Sequence, residues 1–363
     1  MLSGILATMT ATATTGSTTV RAWGSPGFQA PLEPVTIERR ALREDDVRIR
    51  IEFAGICHSD IHTMRGDWGA REYPLVPGHE IVGIVEEVGA GVTSRAPGDR
   101  VGVGCFVNSC GRCHACEQGE ISYCENGPVT TYGGVDRYAD GEYTQGGYSQ
   151  EIIVREAFTV AVPDALDPAA AAPLLCAGIT TYSPLKHWGA GPGRRVGIVG
   201  MGGLGHVGVK IAAAMGAEVT VFSHSDRKRD DALAFGATRH VSTADGLPED
   251  LLNHFDLIIN TVSVDLDTTA YLALLRFDGA LVQLGLPGAP LQAPARMFTQ
   301  ARRSLSGSLV GGIRETQEML DFCADHGVTA EIELTDAAGI NEAYDRTIAA
   351  DVRYRFVIDA ATF

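Results

Sequence analysis

A cysteine and a histidine in the first quarter of the chain have the residue types of metal ligands. Cys57 stands in a Gly-Ile-Cys-His-Ser-Asp segment, and His79 stands 22 residues later in Pro-Gly-His-Glu. Zinc binds Cys sulfur and His nitrogen, and a catalytic zinc keeps three protein ligands and one open position. A lone Cys or His is more often a core or surface residue. The two together predict a catalytic metal site whose third ligand comes from elsewhere in the chain.

Four further cysteines form a compact cluster with the spacing C-x2-C-x2-C-x7-C. Four thiolates at such short spacing suit a closed tetrahedral zinc site, which would hold a loop in shape. An iron–sulfur cluster is one alternative, but there the fourth cysteine follows more closely and precedes a proline. A nucleic-acid-binding zinc ribbon is a second alternative. The predicted ligands of this structural zinc are Cys110, Cys113, Cys116 and Cys124.

A glycine-rich turn between an apolar strand and a helix predicts a dinucleotide-binding site. The segment Val196–His206, V-G-I-V-G-M-G-G-L-G-H, places G-x-G-x-x-G between the two elements. Such glycines permit a tight turn and let a pyrophosphate approach the helix N-terminus. A glycine-rich turn without a ligand is the alternative, and the flanking elements argue against it. The predicted cofactor contacts in this turn are Gly200, Gly202, Gly203, Leu204 and Gly205.

The end of the next predicted strand favours NADP(H) over NAD(H). An NAD site usually places Asp or Glu there to bind the ribose hydroxyls. This strand ends V-T-V-F-S-H-S-D-R-K-R, with Ser223 in the place of the acid. Hydroxyls and cations suit a 2′-phosphate, which a carboxylate would repel. Asp226 is either a helix N-cap or a displaced acid, and Arg227 and Arg229 either bind the phosphate or face solvent.

Length, charge and cysteine content limit the classes of protein to which the chain can belong. The chain has 363 residues, enough for two domains, and a net charge of −16, which argues against nucleic acid and anionic membranes as partners. No apolar run reaches the roughly 18 residues of a spanning helix. The first 20 residues carry no charge, so they lack the cationic start of a secretory signal, and Met9 is an alternative start to Met1. Eight cysteines without a signal predict metal binding in the cytoplasm.

Two patterns of secondary structure position these residues. Short strands with Gly and Pro turns, such as Val47–Phe53 and Glu80–Val88, predict a β-rich first domain. From Arg195 onward, strands alternate with helices, which predicts a parallel, doubly wound sheet. The predicted strands of this sheet are Arg195–Val199, Glu218–Ser223, Asp256–Asn260, Ala280–Leu284 and Ser304–Leu309, and its helices are Leu204–Met215, Asp226–Phe235 and Thr268–Leu275. The predicted elements that follow are helix Glu315–Asp325, a strand near Ile332, helix Ile340–Ala350 and strand Arg353–Asp359.

From Val20 to Asp359 the chain resembles the zinc-dependent alcohol dehydrogenases of the medium-chain family, and most closely their cinnamyl alcohol dehydrogenase branch. The segments that carry the resemblance are G-I-C-H-S-D, Y-P-L-V-P-G-H-E, the cysteine cluster, C-A-G-I-T-T-Y-S-P-L-K-H-W and D-V-R-Y-R-F-V-I-D. It implies an α/β chain with a GroES-like β-rich catalytic domain and a doubly wound Rossmann NADP-binding domain. The expected catalytic domain comprises 20–172 and 314–363, the Rossmann domain 173–313, and a flexible tail 1–19. A homodimer through the nucleotide domain is implied as well.

The resemblance also implies the remaining members of the catalytic metal site. It makes Cys176 the third ligand, although a cysteine in an apolar segment is often a small hydrophobe. Glu80 would lie behind the metal and bind it transiently, with a buried structural carboxylate as the alternative. Asp60 would hydrogen-bond the zinc-bound histidine and raise its basicity. Zinc would polarise an aldehyde or stabilise an alkoxide during hydride transfer.

A proton relay and cofactor contacts follow from the same resemblance. Ser59 would meet the substrate oxygen, and His62, whose ordinary pKa lies near neutrality, would form the outer end. Asp67 either completes this path or is a helix cap or surface carboxylate. Thr180 matches a position that contacts the nicotinamide. The expected contacts to the 2′-phosphate are Ser223, Ser225 and Lys228.

The expected function is interconversion of primary alcohols and aldehydes, aromatic and medium aliphatic, with aldehyde reduction as the expected direction. Trp68, Cys105 and Phe106 are candidate walls of the substrate pocket, with ordinary core packing as the alternative. Val129 stands where plant members that act on lignin precursors carry Trp, which favours a broader substrate range. A polyol or sugar dehydrogenase is one alternative function, and a non-catalytic binding or redox-sensing relative is another.

Overall fold

The computed structural model describes residues 16–69 and 71–363. Within these residues the strands form a seven-stranded sheet, a six-stranded sheet and two two-stranded sheets. Strand β1 begins at Thr18, so the last two residues of the expected tail belong to a strand. Residues 1–15 of that tail lie outside the described residues.

The first half of the chain is rich in short strands, as its alternating pattern and frequent turns predict. Strand Asp46–Gly55 is central, because it pairs with three other strands. In chain order the elements are β1 (Thr18–Gly24), β2 (Glu33–Arg39), β3 (Asp46–Gly55), α1 (His58–Arg65), β4 (Ile81–Val88), β5 (Arg100–Val103), β6 (Phe106–Asn108), α2 (His114–Glu117), β7 (Val129–Thr130), β8 (Glu151–Arg155), β9 (Val160–Ala161), α3 (Pro168–Ala171) and α4 (Ala177–His187).

The second half alternates strands and helices and then returns to the seven-stranded sheet, which is called the first sheet below. Its elements are β10 (Arg195–Val199), α5 (Gly205–Ala214), β11 (Glu218–Ser223), α6 (Arg229–Ala234), β12 (Arg239–Ser242), β13 (Phe255–Asn260), α7 (Thr268–Leu274), β14 (Leu275–Gln283), α8 (Arg296–Thr299), β15 (Ser304–Gly307), α9 (Ile313–His326), β16 (Ile332–Thr335), α10 (Ile340–Ile348) and β17 (Arg355–Asp359). Among the described residues, no helix is both long enough and apolar enough to cross a bilayer.

The six-stranded sheet is parallel throughout, in the order β12-β11-β10-β13-β14-β15. Strand β13 is buried at every residue, as expected for a strand covered on both faces. Strand β10 lies between β11 and β13, so the strand order reverses there. Ligands of doubly wound sheets bind at the carboxyl ends of the strands beside such a reversal. The loop that follows Val199 therefore occupies the expected cofactor position.

The predicted fold class is confirmed, and the deviations within it have local causes. Strand β12 was not predicted, because four residues beginning with Arg and His are too short for a periodic signal. Strand β14 begins at Leu275 rather than Ala280, since Leu275 pairs with Phe255 before a register shift. The predicted helix Asp226–Phe235 begins as a 3-10 turn before α6.

The end of the chain completes the first sheet. Strand β17 runs antiparallel to β3, with Val357 opposite Gly55, and β16 runs parallel to β17. The same edge of β3 also carries β8 along residues 46–50. The Ile56 N–H donates to the Phe356 carbonyl over 2.9 Å. The last strand thus fixes the backbone immediately before Cys57. The domain boundaries proposed from the sequence stay a prediction.

Candidate active site

Four buried side chains with metal-ligand atoms converge from three separate loops. The ligand atoms of Cys57, His79, Glu80 and Cys176 all lie within 4.8 Å of one another. Cys57 directly precedes α1, His79 and Glu80 precede β4, and Cys176 precedes α4. The structure therefore brings together all three predicted ligands of the catalytic zinc and the carboxylate expected behind it.

The geometry and chemistry of this group fit a zinc ion. The sulfurs of Cys57 and Cys176 are 3.9 Å apart. Two thiolates on one tetrahedral zinc, each about 2.3 Å from the metal, stand about 3.8 Å apart. A hydrogen bond from Cys176 lowers the pKa of Cys57 well below its ordinary value, while neighbouring Cys105 and Cys57 raise that of Cys176. The short distance between the two sulfurs suits a shared divalent cation.

Asp60 links the loop that carries Cys57 to the loop that carries His79. It is fully buried, and its carboxylate meets four groups, namely the backbone N–H groups of Cys57 (3.0 Å) and Gly78 (3.2 Å), the Tyr148 hydroxyl (3.1 Å) and His79 Nδ1 (3.0 Å). Because Nδ1 faces Asp60, Nε2 of His79 is left for the metal. Burial opposes protonation of His79, but the Asp60 carboxylate raises its pKa well above the ordinary value.

We expect Asp60→Asn to lower the affinity of this group for zinc about 10- to 100-fold, as loss of a partner behind a metal ligand typically does. The variant keeps the shape of the side chain but removes the charge that orients His79. Chelator competition followed by zinc analysis measures how readily the first of the two zinc ions leaves the protein. Tyr148→Phe removes only one donor to Asp60 and is the matched control, with a smaller loss. Zinc retention equal to that of the unmodified protein in Asp60→Asn would contradict the role of Asp60.

Glu80 lies at the back of the metal group in contact with a buried arginine. Burial raises the pKa of Glu80 to about 7, although the Arg355 guanidinium acts in the opposite direction. Arg355 forms an ion pair with Glu80 and donates to the Ile56 carbonyl over 2.9 Å. Oxygen Oε2 of Glu80 is buried without a hydrogen-bond partner among the described residues. The Glu80 carboxylate thus lies within the metal group and keeps one oxygen unpaired, which fits the transient contact expected of it.

The glycine-rich turn after β10 has the shape of a phosphate cradle. Gly200 has a φ of +94°, and its N–H donates to the Phe222 carbonyl over 2.8 Å. A Cβ on Gly205 would stand 1.9 Å from the Gly200 carbonyl oxygen, so α5 packs closely on the turn. A Cβ on Gly202 would meet nothing within 4 Å, which leaves space for a ligand. These are the three roles that a dinucleotide turn requires.

Arg355 joins this turn to the metal group. A Cβ on Gly203 would stand 2.9 Å from the Arg355 side chain, and Leu204 follows as the residue before α5. The same guanidinium contacts Glu80. Sequence reasoning did not single out Arg355. The available signal was an arginine directly before the apolar run Phe356–Ile358, since a buried charge needs a partner.

The predicted 2′-phosphate contacts lie at the end of β11 and after it. Ser223 is the last residue of β11, and both Ser223 and Ser225 are half-buried. Lys228 donates from Nζ to the Met201 carbonyl over 2.9 Å, so its ammonium lies at the glycine-rich turn. Burial, together with the charges of Arg353 and Arg227, lowers the pKa of Lys228.

Asp226 is not the N-cap of α6, which was one expectation for it. It lies in the preceding 3-10 turn, with 64% of its side chain exposed. Its Oδ1 lies 3.8 Å from Arg229 and 3.4 Å from His240 Nδ1. Its carboxylate therefore faces two basic side chains. Arg227 and Arg229 are exposed, as in the solvent-facing alternative.

The expected proton relay lies along α1. Ser59 is in the first turn, and His62 follows about one turn later. His62 Nδ1 lies 2.7 Å from Asp67 Oδ2, and 34% of the His62 side chain is exposed. The Trp68 ring stacks on His62 with 5.3 Å between ring centroids. The structure thus joins Asp67 to His62 at the solvent-facing end, while Trp68 covers the imidazole and is itself exposed.

The other predicted pocket residues lie near Cys176. Thr180 is buried, and its N–H donates to the Cys176 carbonyl over 3.0 Å. Cys105 and Phe106 line a cavity of about 10 Å³ beside Leu175. A larger cavity of about 60 Å³ lies elsewhere, and none of the four metal-group residues lines it. Two further side chains are buried, namely Val129 in β7 and Cys323 in α9.

The second cysteine cluster forms a closed group. The sulfurs of all four of its cysteines lie within 4.8 Å of one another, as a tetrahedral zinc site requires, and those of Cys110 and Cys116 are 3.9 Å apart. The Asn126 side-chain amide donates to Cys110 over 3.3 Å, and the Glu125 N–H donates to Cys113 over 3.4 Å. Such donors stabilise thiolates. The members of this group are Cys110, Cys113, Cys116 and Cys124.

His206 in α5 is a structural link that sequence reasoning missed. It is fully buried, its Nδ1–H donates to the Gly202 carbonyl over 3.1 Å, and its Nε2 accepts from the Glu331 N–H over 3.1 Å. Burial lowers the pKa of His206 to about 3, so the ring is neutral. It stacks on Tyr354 with 4.8 Å between centroids. The only signal was a histidine in the first turn of an apolar helix.

Comparisons with known proteins agree over nearly the whole chain. Two family models match, the alcohol dehydrogenase GroES-like domain at residues 43–164 and the zinc-binding dehydrogenase at residues 203–325. NADP-dependent alcohol dehydrogenase C 1 of Mycolicibacterium smegmatis is 56% identical over 95% of this chain and 99% of that protein. Cinnamyl alcohol dehydrogenase of Sorghum bicolor has a TM-score of 0.91 at 43% identity, over 95% of this chain and 98% of that one. CAD from Helicobacter pylori complexed with NADP(H) has a TM-score of 0.89 at 40% identity, over 95% and 99%.

Proposed function

Because the chain belongs to the zinc-binding alcohol dehydrogenases of the medium-chain family, we propose that it is an NADP(H)-dependent enzyme that interconverts primary alcohols and aldehydes. The observation that carries the proposal is the convergence of Cys57, His79 and Cys176 on one buried point. Arg355 connects that point to the glycine-rich turn after β10. A metal and a dinucleotide bound at these two places would be neighbours, as hydride transfer to a metal-bound substrate requires.

Cys57, His79 and Cys176 would hold a zinc ion, which supplies Lewis acidity toward the alcohol or aldehyde oxygen. Asp60 holds the imidazole of His79 in one orientation through its contact with Nδ1. Glu80 is balanced by Arg355, so it adds no unpaired charge behind the ligands. Hydride transfer from a nicotinamide to a carbonyl needs no covalent enzyme intermediate.

We assign proton exchange with solvent to Ser59, His62 and Asp67. Asp67 Oδ2 lies 2.7 Å from His62 Nδ1 and so fixes the ring of a side chain that is partly exposed. An imidazole whose ordinary pKa is near neutrality can take up and release a proton at physiological pH. The Ser59 hydroxyl, in the first turn of α1, would be the inner member of this path.

Preference for NADP(H) rests on the loop after β11. Ser223 occupies the position where NAD enzymes carry an acid, and Ser225 and Lys228 follow it. Hydroxyl donors and an ammonium are complementary to a 2′-phosphate dianion. The relative from M. smegmatis is named as NADP-dependent, and the H. pylori structure holds NADP(H). The remaining cofactor contacts in this proposal are Thr180, Gly200, Gly202, Gly203, Leu204 and Gly205.

A second zinc in the cysteine cluster would have a structural role. Four sulfurs leave no open position for a substrate. The Tyr123 hydroxyl in the same loop accepts the Leu309 N–H over 2.9 Å. A zinc that holds this loop would therefore also hold the segment that follows β15.

We further propose a homodimer in the cytoplasm. Strand β15 is one of the two edge strands of the six-stranded sheet, and an exposed edge strand invites pairing with another chain. Leu286 and Leu309, which follow β14 and β15, are both exposed. Thiols at two metal sites suit a reducing compartment. Light scattering after size-exclusion chromatography measures the oligomeric state.

The function is tested by following oxidation of NADPH and of NADH with cinnamaldehyde under identical conditions. We expect fast turnover with NADPH and little with NADH. Good NADH activity would overturn the cofactor assignment and leave the reaction class intact. A panel of aromatic and aliphatic aldehydes is tested beside sorbitol. Turnover of sorbitol without turnover of any aldehyde would favour a polyol dehydrogenase. Cofactor binding without turnover of any substrate would favour a binding protein.

A further inference from the structure

Tyr354 lies near the end of the chain and beside the proposed 2′-phosphate site. It is 3% exposed and directly precedes β17, a strand of the first sheet. The Lys228 Nζ lies 4.8 Å from the centroid of the Tyr354 ring. An ammonium over an aromatic face at this distance is held by the negative charge of that face, most strongly where water is excluded. The residue directly before β17 thus contacts the lysine of the cofactor loop.

The ring of Tyr354 is itself fixed on several sides. It stacks on the neutral ring of His206 with an interplanar angle of 14°, and its hydroxyl donates to Asp231. The Phe235 ring meets it edge-on at 5.7 Å. Its backbone N–H donates to the Glu331 carbonyl over 3.0 Å. A ring held in this way presents an immobile face to the flexible side chain of Lys228.

Lys228 keeps donors free for a ligand while it is held there. An ammonium has three donors, and the Met201 carbonyl takes one of them. The π face of Tyr354 fixes the position of the charge without using a second donor in a directed hydrogen bond. Asp231 contacts the Tyr354 hydroxyl and lies 3.4 Å from the Arg353 guanidinium, so that carboxylate is already engaged.

We propose that Tyr354 is a positioning residue for cofactor choice, which holds the Lys228 ammonium where a 2′-phosphate binds. The proposal rests on the NADP(H) assignment of the proposed function and deepens it. Because the ammonium is already held in position, it binds the phosphate at a smaller entropic cost than the ammonium of a freely moving lysine would. NADH lacks the phosphate, so its binding does not depend on the Tyr354–Lys228 contact. Tyr354 therefore affects the preference between the two cofactors rather than the chemistry.

The test compares kcat/KM for NADPH and for NADH, with cinnamaldehyde, in variants of Tyr354. Tyr354→Leu removes the π face, and Tyr354→Met does so with a longer side chain that fills more of the site. Tyr354→Phe keeps the face and removes only the hydroxyl. Phe356→Leu is the matched control, because it removes another buried ring, which lies two residues after Tyr354 and 4.7 Å from the Arg346 guanidinium.

We expect Tyr354→Leu and Tyr354→Met to lower the NADPH-to-NADH ratio of kcat/KM about tenfold, through KM for NADPH. The ratio should stay within about twofold in Tyr354→Phe and Phe356→Leu. Combined with Lys228→Met, Tyr354→Leu should lower the ratio no further, because both changes remove the same contact. Equal losses for both cofactors, an equal effect of Tyr354→Phe, or additive losses with Lys228→Met would overturn the proposal.

Binding of 2′-AMP and 5′-AMP, measured by calorimetry, separates this inference from the proposed function. If the unmodified protein does not prefer 2′-AMP, the NADP(H) assignment fails and the role of Tyr354 fails with it. If the unmodified protein prefers 2′-AMP and Tyr354→Leu keeps the full preference, only the role of Tyr354 is wrong. Loss of that preference in Tyr354→Leu and Tyr354→Met, but not in Tyr354→Phe, supports it.

Discussion

Cys57→Ala is expected to lower kcat for cinnamaldehyde reduction at least about a thousandfold, since loss of the Lewis acid removes several kcal/mol of transition-state stabilisation. The sulfurs of Cys57 and Cys176 are 3.9 Å apart in a buried group, so the substitution removes one of the three predicted ligands of the catalytic zinc. The cysteine cluster has four sulfurs of its own and shares no residue with this group. Zinc content should therefore fall from two ions to one per chain, as metal analysis measures.

The control for this change is Cys323→Ala. Cys323 is buried in α9, outside both metal groups, with its sulfur 3.6 Å from that of Met319. This substitution also removes a buried thiol, but it should leave both the zinc content and the rate near those of the unmodified protein. Full activity in Cys57→Ala would show that the metal assignment is wrong. Loss of both zinc ions in Cys57→Ala would show that the two groups do not bind metal independently.

Ser223→Asp is expected to invert the cofactor preference, with a fall of roughly a hundredfold in the NADPH-to-NADH ratio of kcat/KM. Ser223 ends β11, next to the glycine-rich turn, where an acid would bind the ribose hydroxyls of NADH. The same carboxylate would repel the 2′-phosphate and attract the Lys228 ammonium away from it. Initial rates with each cofactor, measured over a range of concentrations, give the ratio directly.

Thr36→Asp adds the same charge at an exposed position of β2, a strand outside the six-stranded sheet, and serves as the control. It should leave the ratio unchanged within about twofold, because exposed charges separated by more than a Debye length are screened. An unchanged ratio in Ser223→Asp would mean that the phosphate binds elsewhere. A similar fall in both variants would show a general effect of negative charge rather than recognition at Ser223.

The metal groups and the cofactor turn were predictable because their chemistry restricts residue type. Few side chains bind zinc, and only glycine allows the φ of Gly200 and the close approach at Gly205. The convergence of Cys57 and Cys176, 119 residues apart in the chain, followed from the resemblance rather than from spacing. The strands at Arg195–Val199 and Glu218–Ser223 were predicted with the bounds that the structure has, since apolar runs followed by glycine or serine mark both.

Contacts between distant elements were not predictable from any local pattern. Arg355 pairs with Glu80 across 275 residues, and the Glu331 N–H reaches His206 across 125. Arg355, Glu80 and His206 are polar and buried, and sequence alone does not say which partner compensates the cost of their burial. The position of Tyr354 beside Lys228 has the same origin. Tertiary packing, rather than propensity, decides the role of such residues.

The pairing of β17 with β3 has a consequence for how the protein is made. Strand β17 follows all six strands of the parallel sheet, which lie within residues 195–307. Domains fold as units while the chain emerges from the ribosome. The parallel sheet is therefore complete before Phe356 is available to hold Ile56, the neighbour of Cys57. The loop with Cys57 therefore acquires its final frame only after the parallel sheet has formed, so we expect the proposed ligands of the catalytic zinc to be held in place late in folding.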